Sequence, residues 1–394
     1  MQWASAASTE PNTAAAIGEV AAVVRAELGA TAPDLMVAFL SAHHRERFGE
    51  IPALVRREFS SGLLVGCSAG GVIGGGKEIE QRPGLSLTAA ALPHVNLTPF
   101  HLTAENVAEL QQRVALAPVM EPHFLLLADP FTFNPEPFLR DLDRVYPAGR
   151  KIGGLASGGR QPGENALFLG PETLGGGMVG VALSGDIQVD TIVAQGCRPI
   201  GQPMFVTKCQ RNLVWELDGQ PAVEVLQSVY RQLDLADQEL ARRSLFLGVV
   251  MNEYQHEYRQ GDFLIRNIVG MDPEHGVLAV GAILREGAVV QFHLRDAHTS
   301  AADIEQLLSA YAGASAGLRP AGALLFSCLG RGMDLYREPD HDTNAFRDHL
   351  GAVPLGGFFC NGEIGPVQGS TFLHGYTSAF GLFKPRSKQS TGDS

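Results

Sequence analysis

Cysteine is scarce and scattered in this sequence. The five residues (Cys67, Cys197, Cys209, Cys328 and Cys360) are odd in number and never form a C-x-x-C pair. That excludes a disulfide framework and a zinc knuckle, and it fits a reducing compartment. Basic residues are also few: 30 Lys and Arg stand against 42 Asp and Glu, giving a formal net charge of −12 and a pI near 5.5. With no Lys/Arg run, an acidic chain repels nucleic acid backbones and anionic lipid, so neither is an expected partner. No apolar stretch is long enough to span a bilayer. Met1 to Pro11 lacks the positive start and apolar core of a secretory signal, so the expected location is cytoplasmic. Among 394 residues, 18% are charged and 45% hydrophobic, a globular balance over a length that suits two or three domains.

What is present is an alternation of strands and helices. Ile17, Val20, Ala21 and Val24 are spaced for a helix that stops before Gly29. Leu35 to Leu40 reads as a buried strand, Ile51 to Phe59 as a short helix, and Leu63 to Gly66 as a strand running into a glycine-rich turn. Further strands are expected at Leu85 to Leu92, Asn96 to His101, Phe124 to Ala128, Lys151 to Ala156, Ala166 to Leu169 and Met178 to Leu183. Helical spacing occurs at Glu105 to Val114 and Pro137 to Val145. Gly196 to Pro203 resembles a linker. Beyond it lie a hairpin at Met204 to Leu217, a helix opened by Pro221, and strands with antiparallel connections from Phe246 to Arg295. A helix with a capping-box-like start is expected from Ser300 and Asp303. Strands follow at Ala323 to Ser327, Gly356 to Cys360 and Thr371 to Leu382, with a short helix at Asn344 to Leu350. This is an α/β pattern with mixed sheets and more antiparallel strands towards the C-terminus. Two modules are expected, 30–196 and 204–383, flanked by an N-terminal helix at 1–29 and a polar, disordered tail at 384–394. Cys67 and Cys360, each ending an apolar strand before glycines, form a long-range echo.

Chemistry can gather at four glycine-rich turns: Gly66 to Gly71, Gly153 to Gly159, Gly356 to Gly362, and Ser327 to Gly332. Glycine lets backbone N–H groups approach an anion, and ligands of open α/β sheets collect beyond the carboxyl ends of strands. Any one such turn is more often plain chain reversal. Four together, carrying Cys67, Ser68, Gly70, Ser157, Ser327, Cys328, Arg331, Asn361, Gly362 and Glu363, point to a ligand site. Gly70 to Lys77 is no P-loop, because Glu78 replaces the required hydroxyl. Arg266 shares strand parity with Leu264 and Ile268, which suits either a ligand anion or an ion pair with Asp296 or Glu253. Asn267 beside it, and Arg295 on the polar parity of its strand, join the candidates. Arg331 suits a carboxylate and Glu363 an amine. A thiol-dependent hydrolase or transferase using Cys67, Cys328 or Cys360 is the competing enzyme reading, but no histidine sits in a partner motif. His43-His44 and Asp340-His341-Asp342 lack metal-site spacing and read as solvated loops.

Leu64 to Gly71 and Gly153 to Ser157 resemble the N-terminal FIST module. Val206-Thr207 with Leu217 to Ala222, Phe263 to Asn267, Leu325 to Gly332 and Gly357 to Pro366 resemble the C-terminal one. The ordered set spans about Pro33 to Phe383. The resemblance implies a sensory input protein of intracellular signal transduction that binds a small ligand such as an amino acid. It also implies output through a separate signalling protein, with a ligand-free docking protein as a further reading. Some members are haem-based sensors, but no axial histidine maps onto this chain, so no cofactor is expected.

Overall fold

The continuous apolar runs pair two by two in parallel, as strands buried on both faces do. The computed structural model describes residues 1–106, 121–255, 257–314 and 319–386. A first unit consists of Met1–Val193, Gln306–Leu373 and Thr377–Ser394. A second, Ala194–Glu305 with His374–Tyr376, is carried in sequence as an insertion.

The first unit repeats one string of elements three times. The first copy has β1 (Gln2–Ser8), α1 (Thr13–Leu28), β2 (Leu35–Ser41), a 3-10 segment (Ala42–Glu50) leading into α2 (Ile51–Glu58), and β3 (Leu63–Ala69). A hairpin of β4 (Gly71–Gly74) and β5 (Lys77–Glu80) and a closing β6 (Leu85–Ala91) complete it. The second copy runs through β7 (Val95–Leu102), β8 (His123–Ala128), α3 (Pro135–Val145) and β9 (Lys151–Leu155) to the hairpin of β10 (Leu167–Leu169) and β11 (Glu172–Leu174) and to β12 (Met178–Gly185). The helix expected at Glu105 to Val114 falls largely outside the described residues. The third copy opens with β13 (Gln188–Gln195) and is then interrupted by the insertion.

The inserted unit holds β14 (Cys197–Gln210), β15 (Leu213–Leu217), β16 (Gln220–Pro221), α4 (Ala222–Gln232), α5 (Leu235–Ser244), β17 (Leu245–Val250), β18 (Phe263–Asp272), β19 (Val277–Val280) and β20 (Val289–Arg295). Its strands run in the order β14-β20-β17-β18-β19-β15-β16, and β14 also pairs with β15, closing an antiparallel barrel. Val206, Val214, Leu247, Leu278, Val290 and Phe292 are among its core side chains.

The third copy resumes with α6 (Ala297–Ala314), β21 (Gly322–Cys328), α7 (Met333–Tyr336), α8 (His341–Leu350) and β22 (Leu355–Cys360). It ends with the hairpin of β23 (Glu363–Val367) and β24 (Ser370–His374) and with β25 (Thr377–Lys384). The start of α6 differs from expectation. Asp296, not Ser300, caps it, accepting the Thr299 N–H at 2.7 Å, while the Asp303 carboxylate accepts the Gln195 N–H at 2.6 Å.

Each copy builds one six-stranded sheet around its parallel pair: β1-β6-β2-β3-β10-β11, β7-β12-β8-β9-β23-β24 and β13-β25-β21-β22-β4-β5. The hairpins are exchanged in a ring. β4–β5 leaves the first copy to pair with β22, β10–β11 leaves the second to pair with β3, and β23–β24 leaves the third to pair with β9. The register identifies equivalent residues. Gly66, Gly153 and Gly357 lie opposite Ala38, Leu126 and Leu325. A Cβ on any of them would lie 1.8 to 1.9 Å from that neighbour's carbonyl oxygen, so only glycine fits. The echo read between Cys67 and Cys360 is therefore corrected: Cys67 is equivalent to Phe358, and Cys360 to Ala69. Phe39, Leu127 and Phe326, each following the residue opposite a glycine, meet in one core, with Phe39 stacked on Phe358 at 4.4 Å. Burying a ring of this size stabilises by roughly 1.5–3 kcal/mol.

Candidate functional site

The carboxyl ends of the three parallel pairs converge within the first unit. The strands run further than the sequence suggested: β3 continues through Cys67 and Ser68 to Ala69, so only the residues beyond form the turn. Gly70, Ser157 and Asn361 occupy equivalent places, four residues past the register glycines (66 to 70, 153 to 157, 357 to 361). Gly70 and Asn361 are exposed and Ser157 half-buried. The Gly70 N–H donates to Ser157 Oγ at 2.8 Å, and Ser157 Oγ donates to the Phe359 carbonyl. The Asn361 N–H donates to the Leu155 carbonyl and the Leu155 N–H to that of Gly362, at 3.1 and 2.9 Å. The turns thus lace one another into a polar rim.

Ser68 lies behind this rim, fully buried, where it joins Asn165 at 3.0 Å. Asn165 Nδ2 donates to Asp129 at 2.9 Å, and its Oδ1 accepts the Gly159 N–H at 2.7 Å. The Asn165 bond thus satisfies the Gly159 N–H at the end of the Gly153-to-Gly159 turn.

The third copy contributes the charge. Arg331 and Asp342 are both buried. Arg331 Nε and Nη2 grip the two Asp342 oxygens at 3.0 and 3.2 Å, and Nη2 also donates to the Tyr336 hydroxyl. Ser378, Ser327 and His341 complete the Asp342 shell. Burial alone would push the Asp342 carboxyl up; Arg331 and the His341 and Ser378 bonds override it and hold it well below the usual range. Arg331, expected to grip a ligand, is thus held by a protein carboxylate. The Asp340-His341-Asp342 segment, read as a solvated loop, instead opens α8, with Asp342 buried and Asp340 accepting the Glu78 N–H at 2.6 Å. His44, also read as solvated, is buried with Nδ1 3.0 Å from Thr13 Oγ1.

Glu363 begins β23 two residues after Asn361 and is fully buried. Its Oε2 accepts from the Thr377 hydroxyl and N–H at 2.8 and 3.2 Å, while Oε1 makes no hydrogen bond. Burial raises its carboxyl to about 8, against the lowering effect of the Thr377 bonds. Glu78 repeats the arrangement. One oxygen accepts the Thr343 N–H at 2.8 Å, the other is unbonded, and burial followed by the Asp342 charge lifts it to about 8. A buried carboxyl with an unused oxygen costs stability, so function is a natural reason to keep one. Nothing in the sequence around Glu78, Asp129, Asn165, Asp342, Thr377 or Ser378 announced these roles, because their partners lie far away along the chain.

Cys67 and Cys360 are sealed in the core and burial raises both thiols well above the ordinary value, which opposes thiolate chemistry there. Cys328 is half-buried at the end of β21. Among the described residues no group of His, Cys, Asp and Glu could hold a metal ion, and no helix is long and apolar enough to cross a membrane.

Arg266, Asn267 and Arg295 belong to the second unit. Arg266 is half-buried, on the strand face opposite the fully buried Phe263 and Ile265. The partners weighed for it are engaged elsewhere: Asp296 binds Arg198 at 2.9 Å, and Glu253 binds Arg285. Asn267 accepts from the Tyr376 hydroxyl, and the Arg295 guanidinium lies 5.0 Å from the Tyr376 ring centroid. Asn267 and Arg295 therefore meet at Tyr376, while Arg266 adjoins Asn267 along β18.

Comparison with known proteins places the chain. The FIST N domain family model matches residues 34–220 and the FIST C domain model 222–366. An uncharacterized protein of Mycobacterium tuberculosis (strain ATCC 25618 / H37Rv) is 36% identical over 376 residues, covering 95% of this chain and 98% of that protein. One from Mycobacterium bovis is 34% identical over 375 residues, 95% and 97% of the two chains. F-box only protein 22 of Homo sapiens is 35% identical over 74 residues, 15% of this chain and 18% of that protein. FIST domains are associated with signal transduction, with a sensory role suggested. These matches show that the chain belongs to the FIST family.

Proposed function

We propose that the protein is a cytoplasmic sensor in signal transduction that binds a small amine-bearing metabolite, an amino acid or a close relative, at the laced turns of the first unit. The observation that carries this reading is Glu363, buried behind the rim with one oxygen unbonded. A ligand ammonium would supply the missing partner and displace the proton that burial keeps on the carboxyl. Ser157 and Asn361, at equivalent places on the rim, supply hydrogen bonds to the remainder of the ligand. Arg331 acts indirectly, by fixing Asp342 and the third turn. Output passes to a separate signalling protein, as a ligand that distinguishes two states of the rim would require.

Titration calorimetry with individual amino acids, and with the matching amines and acids, tests this. The expected result is saturable binding by one amine-bearing class, with proton release seen as a heat that varies with the buffer's ionisation enthalpy. Glu363→Gln should remove both. Absence of heat with every amino acid and amine would refute the ligand class.

A further inference from the structure

The three copies differ in how they treat one equivalent place, where the crossover helix, the start of the second parallel strand and the tip of the exchanged hairpin meet. Arg56, Asp143 and Arg347 occupy the same helical position there, ten residues before the register glycines (56 to 66, 143 to 153, 347 to 357). Two residues before each glycine stand Leu64, Lys151 and Leu355.

The second copy fills its place from within. Asp143 binds the buried Lys151 ammonium at 2.8 Å and accepts the Thr371 N–H and hydroxyl at 2.6 and 2.8 Å. Thr371 reaches it because β23 and β24 are five residues each. The hairpins serving the other two places are shorter, four residues per strand in β4–β5 and three in β10–β11. Those two places are cavities of about 350 and 360 Å³. The first lies between the exposed Arg347, Glu27, Phe346, Leu355 and the Gly75-Gly76 tip; the second between the exposed Arg56, Phe59, Leu64 and the Gly170-Pro171 tip. Volumes of this size sit at the lower end of small-molecule sites. Among the described residues neither arginine has a carboxylate partner; Arg347 meets only the Asn344 amide oxygen at 2.7 Å.

We infer that these two cavities are a matched pair of sites for a small organic acid with an apolar body. The charge pattern supports the class. Where the second copy brings its own carboxylate to an ammonium, the other two present a guanidinium beside a leucine floor, which a carboxylate from outside would complete. This goes beyond the amine-binding reading at Glu363 and does not rest on it.

Calorimetric titration of the full chain with phenylacetate, and with 2-phenylethanol as its neutral counterpart, tests the inference. Two sites per chain are expected, with the alcohol at least tenfold weaker. Arg56→Gln and Arg347→Gln should each remove one site, and the pair together both. Ala53→Trp and Ala352→Trp, at exposed positions lining the two cavities, should block them individually. Glu363→Gln should leave phenylacetate binding intact, which separates this result from the fate of the amine site. No phenylacetate binding, equal binding of the alcohol, or binding that survives the double arginine variant would overturn the inference.

Discussion

Arg331→Ala separates a structural arginine from a ligand-gripping one. It removes the guanidinium from Asp342 and leaves a buried carboxylate with only Ser378, Ser327 and His341 around it. Breaking a buried pair by deleting one partner costs about 3–5 kcal/mol. In a unit of this size each kcal/mol moves the midpoint by roughly 2–4 °C, so thermal unfolding should begin on the order of 10 °C lower. The pH dependence sharpens the test. Asp342 is held below the usual range, so its stabilising share is complete above the ordinary carboxylate value near 3.9 and is lost as pH falls further. Without Arg331 the carboxyl must instead take up a proton to stay buried, so the variant's deficit should shrink from pH 7 towards pH 4. Circular dichroism melts of both proteins across that range provide the assay. Arg331→Met with Asp342→Leu should recover much of the loss, because an apolar pair of similar volume needs no charge compensation. A midpoint within about 2 °C of wild type, roughly the effect of a surface change, would refute the structural assignment.

Further outcomes follow from the same geometry. Glu363 and Glu78, both raised to about 8, bind protons more tightly folded than unfolded, so their contribution is complete below about 4.3 and falls as pH rises to 8. Glu363→Gln with Glu78→Gln should flatten the midpoint-against-pH curve between pH 5 and 8; an unchanged slope would contradict the protonated carboxyls. Gly153→Ala places a Cβ 1.8 Å from the Leu126 carbonyl and should destabilise by more than about 3 kcal/mol or prevent folding. Gly76→Ala, with nothing within 4 Å but a φ of +72°, should cost only about 1 kcal/mol, so comparable losses in denaturant titrations would sink the close-approach argument.

Much of the fold was legible because its strands are apolar on both faces. Leu35 to Leu40, Phe124 to Ala128 and Gly356 to Cys360 all read as strands and lie within residues of the observed bounds. β1 went unread because Gln2 to Ser8 is mostly alanine and serine, small residues that pack closely yet carry no hydrophobic period. The threefold repetition was hidden by its own exchange of hairpins and by the inserted barrel, and because the equivalent residues share little chemistry: Cys67, Gly154 and Phe358 stand at one place. Of the candidate site, the turns and Glu363 were visible as glycine-flanked polar residues. Asp342 was not, since an Asp-His-Asp segment in a polar stretch gives no sign that a distant arginine will bury it. The value of Arg56 and Arg347 emerges only from their shared register with Asp143.

The central claim is that a small amine-bearing ligand is held through Glu363. Its most direct test is a thermal-shift comparison of wild type and Glu363→Gln against individual amino acids and simple amines. At a hundred times its dissociation constant a ligand stabilises by about 2.7 kcal/mol, enough to raise the midpoint by several degrees. The account predicts a rise confined to one chemical class in wild type and absent in Glu363→Gln. A wild-type panel with no shift, or the same shift in both proteins, would contradict it.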